Sequence, residues 1–90
     1  MSIVRIPPTL RTATGGAKEL QIDGATVREA LDDLVAAHPS LAAQLLDANG
    51  DLNRFINVFV NDTDIRYLEA LETPLDARDR LVLLPAMAGG

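Results

Sequence analysis

The residues best placed to do chemistry are the last six, Pro85-Ala86-Met87-Ala88-Gly89-Gly90. Small side chains thread a narrow channel, and glycine lets another backbone approach closely, as an enzyme requires when it grips a terminal carboxylate from several sides. Fully extended, six residues reach on the order of 20 Å. That is far enough to enter an active site while a folded body stays outside. The plain alternative is a frayed terminus, or an expression scar that happens to end in glycine. With glycine usage of about 7%, two terminal glycines arise by chance in roughly one chain in 200, so the pair needs support from the residues before it.

Other side chains offer little chemistry. The chain has no Cys, which removes disulfides, thiolate metal sites and cysteine nucleophiles. Any sulfur it handles is held elsewhere. His38 is the single histidine, and Ser2 and Ser40 are the only serines, so a hydrolytic triad is not expected. The position of His38 just before Pro39, at a predicted helix C-terminus, accounts for it through the helix dipole. Asp47-x-Asn49-Gly50-Asp51 begins like a calcium loop, but Leu52 stands where glycine is needed and Val58 where a bidentate Glu is required. Asp62-x-Asp64 reads as a turn whose aspartates bond their own backbone, and no metal is expected. Gly15-Gly16-Ala17-Lys18 lacks the spacing and hydroxyl of a phosphate loop and fits a hairpin turn.

The elements that would carry the tail follow from patterning. Val4 and Ile6 share one face of a short strand over residues 2–6, which Pro7-Pro8 ends. Thr12 to Gly16 is turn-rich and leads to a second strand over residues 18–22, where Leu20 and Ile22 alternate with polar residues. Thr26 and Glu29 form a capping box. Behind it, Val27, Ala30, Leu31, Leu34, Val35 and His38 make one helical stripe, stopped by Pro39. Residues 41–46 add a helical turn or two before the polar loop at Asp47-Ala48-Asn49-Gly50-Asp51. Residues 55–60 are a β-branched and aromatic strand; Asn61 to Asp64 turns toward a short strand over residues 65–67; the last strand covers residues 81–84, closed by Pro85. One helix among five strands predicts an α+β sheet covered on one face.

If Ile56, Val58 and Val60 face the helix, Phe55, Asn57 and Phe59 lie on the open face; likewise Leu81 and Leu83 turn inward and Val82 and Leu84 outward. Phe59, Val82 and Leu84 then make an apolar patch beside the tail that would dock a partner. Short sheets also expose some apolar area with no partner in view.

Composition bounds the rest. Ninety residues allow one domain with a modest core, and 48% hydrophobic with 23% charged residues is ordinary for a folded chain. A net charge of −5, with eight cationic residues spread along the chain, speaks against a phosphate-tracking surface and for basic protein partners. No stretch approaches the roughly 18 apolar residues of a membrane span, and the N-terminus lacks a secretory pattern, so the cytoplasm is the expected location.

With these elements in place, the chain resembles the ThiS/MoaD/CysO family of ubiquitin-like sulfur carriers over nearly its whole length. The resemblance rests on Ile6-Pro7, Leu10-Arg11 with Thr14-Gly15-Gly16, Val60-Asn61-Asp62 with Ile65-Arg66, and above all Leu83-Leu84-Pro85-Ala86-Met87-Ala88-Gly89-Gly90. The pattern looks closest to the actinobacterial CysO type. It departs at Arg78, where many members have Gly before the acidic residue matched by Asp79. The resemblance implies a β-grasp domain over residues 1–84, a mixed sheet of four to five strands on one main helix, and a flexible tail over residues 85–90. It implies an E1-like enzyme that spends ATP to adenylate the Gly90 carboxylate, after which a sulfur source displaces AMP to leave a thiocarboxylate. Ala86, Met87, Ala88 and Gly89 would thread the partner's active site. The carrier itself would bind no cofactor and catalyse nothing. A sulfur-acceptor synthase would use the product, and a CysO-like chain would also meet a JAMM-type protease. The acceptor stays open among a cysteine precursor, thiamine thiazole, molybdopterin and a specialised metabolite, with cysteine assembly weakly favoured. Two further readings stand beside it: a protein modifier that forms isopeptide bonds through Gly90, and a plain interaction domain.

Overall fold

The computed structural model describes residues 2–85. Five strands, β1 (Ser2–Arg5), β2 (Glu19–Ile22), β3 (Ile56–Val60), β4 (Thr63–Asp64) and β5 (Arg80–Pro85), form one mixed sheet in the order β2-β1-β5-β3-β4. The first and last strands run parallel at its centre, and every other pair is antiparallel. Helix α1 (Val27–Ala37) and the short α2 (Ala42–Leu45) complete the core. This is the expected α+β arrangement.

Helix α1 starts where the capping box places it. The Thr26 hydroxyl accepts from the Glu29 amide at 3.2 Å, and the Glu29 carboxylate accepts in return from the Ala25 amide at 3.4 Å. Amides at the helix start are thereby paired, which contributes about 1 kcal/mol. The stripe Val27, Ala30, Leu31 and Leu34 is buried with Val4, Val58, Leu81 and Leu83 of the sheet and with Ile6 just past β1, while Val35 and His38 reach only its margin. His38 is the C-cap, its amide donating to the Leu34 carbonyl at 2.9 Å. The chain beyond β4 returns to the start of α1, where Val27 donates to the Thr73 carbonyl and Leu75 to that of Ala25.

Strand ends shift by a residue from the sequence reading, and three differences bear on the site. Between β1 and β2 the chain forms a 3₁₀ helix, Pro8–Thr14, because Pro8 suits a first helical turn and buried Leu10 anchors it; Gly15 then closes the segment in the left-handed region at φ 68°. The strand expected over residues 65–67 is a 3₁₀ turn, Ile65–Tyr67, and β4 is instead the two residues before it. Asn61 adopts φ 57°, which asparagine tolerates, so the hairpin closes in the two residues Asn61-Asp62 and pairs Val60 with Thr63. Asp64 then ends the strand by capping the turn, and Tyr67 is left 83% exposed. Finally, Pro85 is the last residue of β5, opposite Ile56, so the sheet runs one residue past the expected domain limit at residue 84.

Asp64 is a buried carboxylate, held by Arg66. The Arg66 guanidinium donates through Nε and Nη2, the latter at 2.8 Å, and the Arg66 amide donates to Oδ1 at 2.8 Å. The side-chain bonds, then the backbone bond, hold the Asp64 carboxyl below its usual value, while burial pulls the other way. A carboxylate whose folded-state pKa is depressed stabilises the fold fully above its unfolded value of about 3.9, and loses that contribution as pH falls through the lower folded value. Asp64→Asn is therefore expected to flatten the acid limb of stability below about pH 4, followed by denaturant midpoints across pH. An acid limb identical to that of the parent protein would contradict this.

Candidate functional site

The central position of β5 determines what surrounds Pro85, the last described residue. Leu81 and Leu83 are fully buried, and the alternate residues of the strand turn to the face opposite α1. On that face Val82 pairs directly with Phe59, and Leu84 with Asn57. Phe59 and Val82 are half-buried and Leu84 is 45% exposed. The structure thus brings together the three residues of the expected patch, side by side on two hydrogen-bonded strands. Ala86, Met87, Ala88, Gly89 and Gly90, the residues expected to carry and precede the reacting carboxylate, lie outside the described residues.

What the sequence reading missed is cationic. A surface concavity of about 610 Å³ lies beside the patch, and Arg5, Arg11, Arg78 and Arg80 line it together with Val82 and Leu84. These four are half of the eight cationic residues, so the charges that look spread along the chain are not spread in space. Each arrives by a different route. Arg5 is the partner of Val82 across the parallel β1–β5 pair, and Arg80 is two residues before Val82 on the same face. Arg11 comes from the 3₁₀ helix, where its Nε donates to the Ile6 carbonyl at 3.1 Å.

Arg78 sits in the turn into β5. The Asp79 amide donates to the Asp76 carbonyl at 2.9 Å, and each aspartate side chain accepts from a backbone amide of the turn. Arg78 is not among the non-glycine residues with positive φ, so the turn holds an arginine without left-handed backbone at that position. Asn61 ties this turn to the β3–β4 hairpin: its side chain accepts from the Arg80 amide at 3.1 Å and donates to Asp79 at 3.2 Å. The only signal for the cluster in the sequence is the alternation Arg80, Val82, Leu84. The contributions of Arg5, Arg11 and Arg78 need the topology.

The segments set aside for metals behave as turns. Asp47 Oδ1 accepts from the amides of Asn49 and Asp51. Among the described residues no group of three or more His, Cys, Asp or Glu is arranged to hold a metal ion, and no helix is long and apolar enough to cross a membrane.

Comparison with known proteins covers nearly the whole chain. The model of the ThiS family matches residues 4–90, through the terminal glycine. The chain is 39% identical over 89 residues to the sulfur carrier protein CysO of Mycobacterium tuberculosis, covering 97% of this chain and 96% of that one. It superimposes with a TM-score of 0.90 and 46% identity on a chain in the crystal structure of the Amycolatopsis orientalis BexX/CysO complex, with full coverage of both. It is also 40% identical over 72 residues to small archaeal modifier protein 1 of Haloferax volcanii, covering 79% of this chain and 78% of that one.

Proposed function

The chain belongs to the ThiS family, and from that membership we propose that it is a sulfur carrier whose Gly90 carboxylate is adenylated and then converted to a thiocarboxylate. The observation that carries this reading is the family match that extends to Gly90, together with near full-length similarity to proteins named as CysO. In the first step a carboxylate oxygen attacks the α-phosphorus of ATP and pyrophosphate leaves. In the second a sulfur nucleophile attacks the acyl carbon and AMP leaves, so one oxygen of the carboxylate is replaced by sulfur. The carboxylate is a poor electrophile, and the mixed anhydride supplies the leaving group it lacks. The chain contributes the reacting terminus, and an E1-like enzyme contributes ATP binding and catalysis. A sulfur-acceptor synthase then draws on the thiocarboxylate to build cysteine, a cofactor or a specialised metabolite.

Incubation with an E1-like adenylating enzyme, ATP and a sulfide source, followed by intact-mass measurement, tests the proposal. The expected product carries one sulfur in place of one oxygen. The similarity to an archaeal modifier protein favours a second reading, in which Gly90 forms an isopeptide bond with a lysine of another protein. It would appear in the same assay as a covalent adduct, and an unchanged mass would remove both.

Phe59, Val82 and Leu84 serve in this proposal as the apolar ground on which the activating enzyme settles while the tail enters its site. Leu84→Glu is expected to slow activation about tenfold, since a desolvated apolar contact near the centre of an interface typically carries this much binding energy. With Leu84 already 45% exposed, the melting temperature should barely move. Activation kinetics unchanged by Leu84→Glu would exclude this face from the docking surface.

A further inference from the structure

Four arginines converge on one concavity in a protein of net charge −5, and the charge that would neutralise them is only partly present. Arg80 is paired with Glu19 at 2.8 Å and Arg11 is bonded to the Ile6 carbonyl. Arg5 and Arg78 are exposed and have no side-chain hydrogen bond or ion pair among the described residues. Asp62 is the acidic side chain in the lining, and Lys18 adds a further cation beside Arg5 and Arg11 in the adjoining hollow. The positions are set by backbone: two arginines stand on neighbouring central strands, one on a 3₁₀ helix, and one in a turn pinned by Asp76, Asp79 and Asn61.

Resting on the sulfur-carrier reading above, we infer that the enzyme charging Gly90 presents a carboxylate-rich surface to Arg5, Arg11, Arg78 and Arg80. The concavity continues along β5 to Val82 and Leu84, and Pro85 follows directly, so whatever receives the tail must cover this ground. Guanidinium groups match carboxylates bidentately, and such pairs at an interface steer encounter and orient the partner. A small anion fits less well. The arginines other than half-buried Arg11 are exposed, and nothing among the described residues encloses a ligand as a small-molecule site would. A nucleic acid would meet the same arginines, but also the repulsion of the surrounding net negative charge and an apolar flank with no phosphate to match. The expectation of basic partners, drawn from net charge alone, is thereby reversed at this face.

The test uses the full chain, an E1-like enzyme, ATP and sulfide, with the rate of thiocarboxylate formation measured against carrier concentration at about 50 and about 300 mM NaCl. Arg5→Gln combined with Arg78→Glu removes the two unpaired guanidiniums without placing a glutamate opposite Glu19, the cross-strand partner of Arg5. The KM for the carrier is expected to rise about tenfold or more, with kcat within about twofold and an unchanged melting temperature. The salt dependence of KM seen with the parent chain should largely disappear. Arg28→Glu, on α1, reverses one charge on the covered side of the sheet, as Arg78→Glu does on the open side, and should leave KM within about twofold. A parent KM insensitive to salt, or an unchanged KM in the double variant, would overturn the inference while the sulfur-carrier function stands. Failure of the parent chain to be charged at all would remove the function, and the inference with it. Low-salt binding of a single-stranded oligonucleotide that the double variant abolishes, with KM unaltered, would assign the face to nucleic acid instead and also overturn it.

Discussion

A chain ending at Gly89 is expected to fold as the full chain does and to accept no sulfur. Sheet pairing in the described structure ends at Pro85 opposite Ile56, and the buried core of the described residues lies before it, so the loss of residue 90 should leave the melting temperature within about 1 °C. The reaction is far less tolerant. Removing one residue pulls the carboxylate back by as much as ~3.5 Å in an extended tail. A misplacement of about 1 Å can already cost 100-fold when a reacting group is held for in-line attack. Adding a residue beyond Gly90 has the same effect by a different route: the Gly90 carbonyl becomes an amide, with no free oxygen to attack ATP. Both variants should show no mass gain from sulfur in the charging assay, a loss of more than ~100-fold. Sulfur incorporation at the parent rate in either of them would refute the assignment of Gly90.

The second large effect is structural and falls on Gly24. In the sequence this glycine merely follows the strand over residues 18–22. In the fold it lies under the first turn of α1, close enough that an added Cβ would overlap the Ala30 amide nitrogen and stand 2.8 Å from the Glu29 carbonyl carbon and 2.9 Å from Ala30 Cα. All three are backbone atoms of the helix, so no side-chain rotation relieves the overlap, and α1 must shift against the sheet that buries Val27, Ala30, Leu31 and Leu34. Such overpacking costs on the order of 3 kcal/mol. For a domain of this size that is a fall in melting temperature of about 15 °C for Gly24→Ala. Calorimetry or circular dichroism reads it directly, and a fall smaller than about 2 °C would mean that the helix yields easily at this point. Gly15→Ala offers the contrast: there the space is open and only the left-handed backbone resists a side chain, which costs nearer 1 kcal/mol.

Much of the architecture was legible without coordinates, because it depends on short-range physics. Thr26 and Glu29 sit three residues apart and announce a helix start, which the structure confirms to the residue. Alternation in residues 56–60 and 81–84 assigns Val58, Leu81 and Leu83 to the core and Phe59, Val82 and Leu84 to the open face, as observed. Where the reading failed, the competing interaction was equally local but weaker in the sequence. A left-handed Asn61 shortened the hairpin, and the Asp64 cap turned residues 65–67 out of the sheet. Prolines at 7 and 8 signalled a stop, and the 3₁₀ helix that follows owes its place to the burial of Leu10.

The sequence by itself determined the fold class, the faces of the strands and the family to which the tail belongs, since each is written in residue types at fixed spacing along the chain. Tertiary structure alone decided the charge of the face beside that tail. Arg5, Arg11, Arg78 and Arg80 lie as much as 75 residues apart in the chain and meet only because β1 and β5 pair in parallel at the centre of the sheet. Net charge is a sum over the whole molecule, whereas a partner meets the local field, and that field depends on which strands become neighbours.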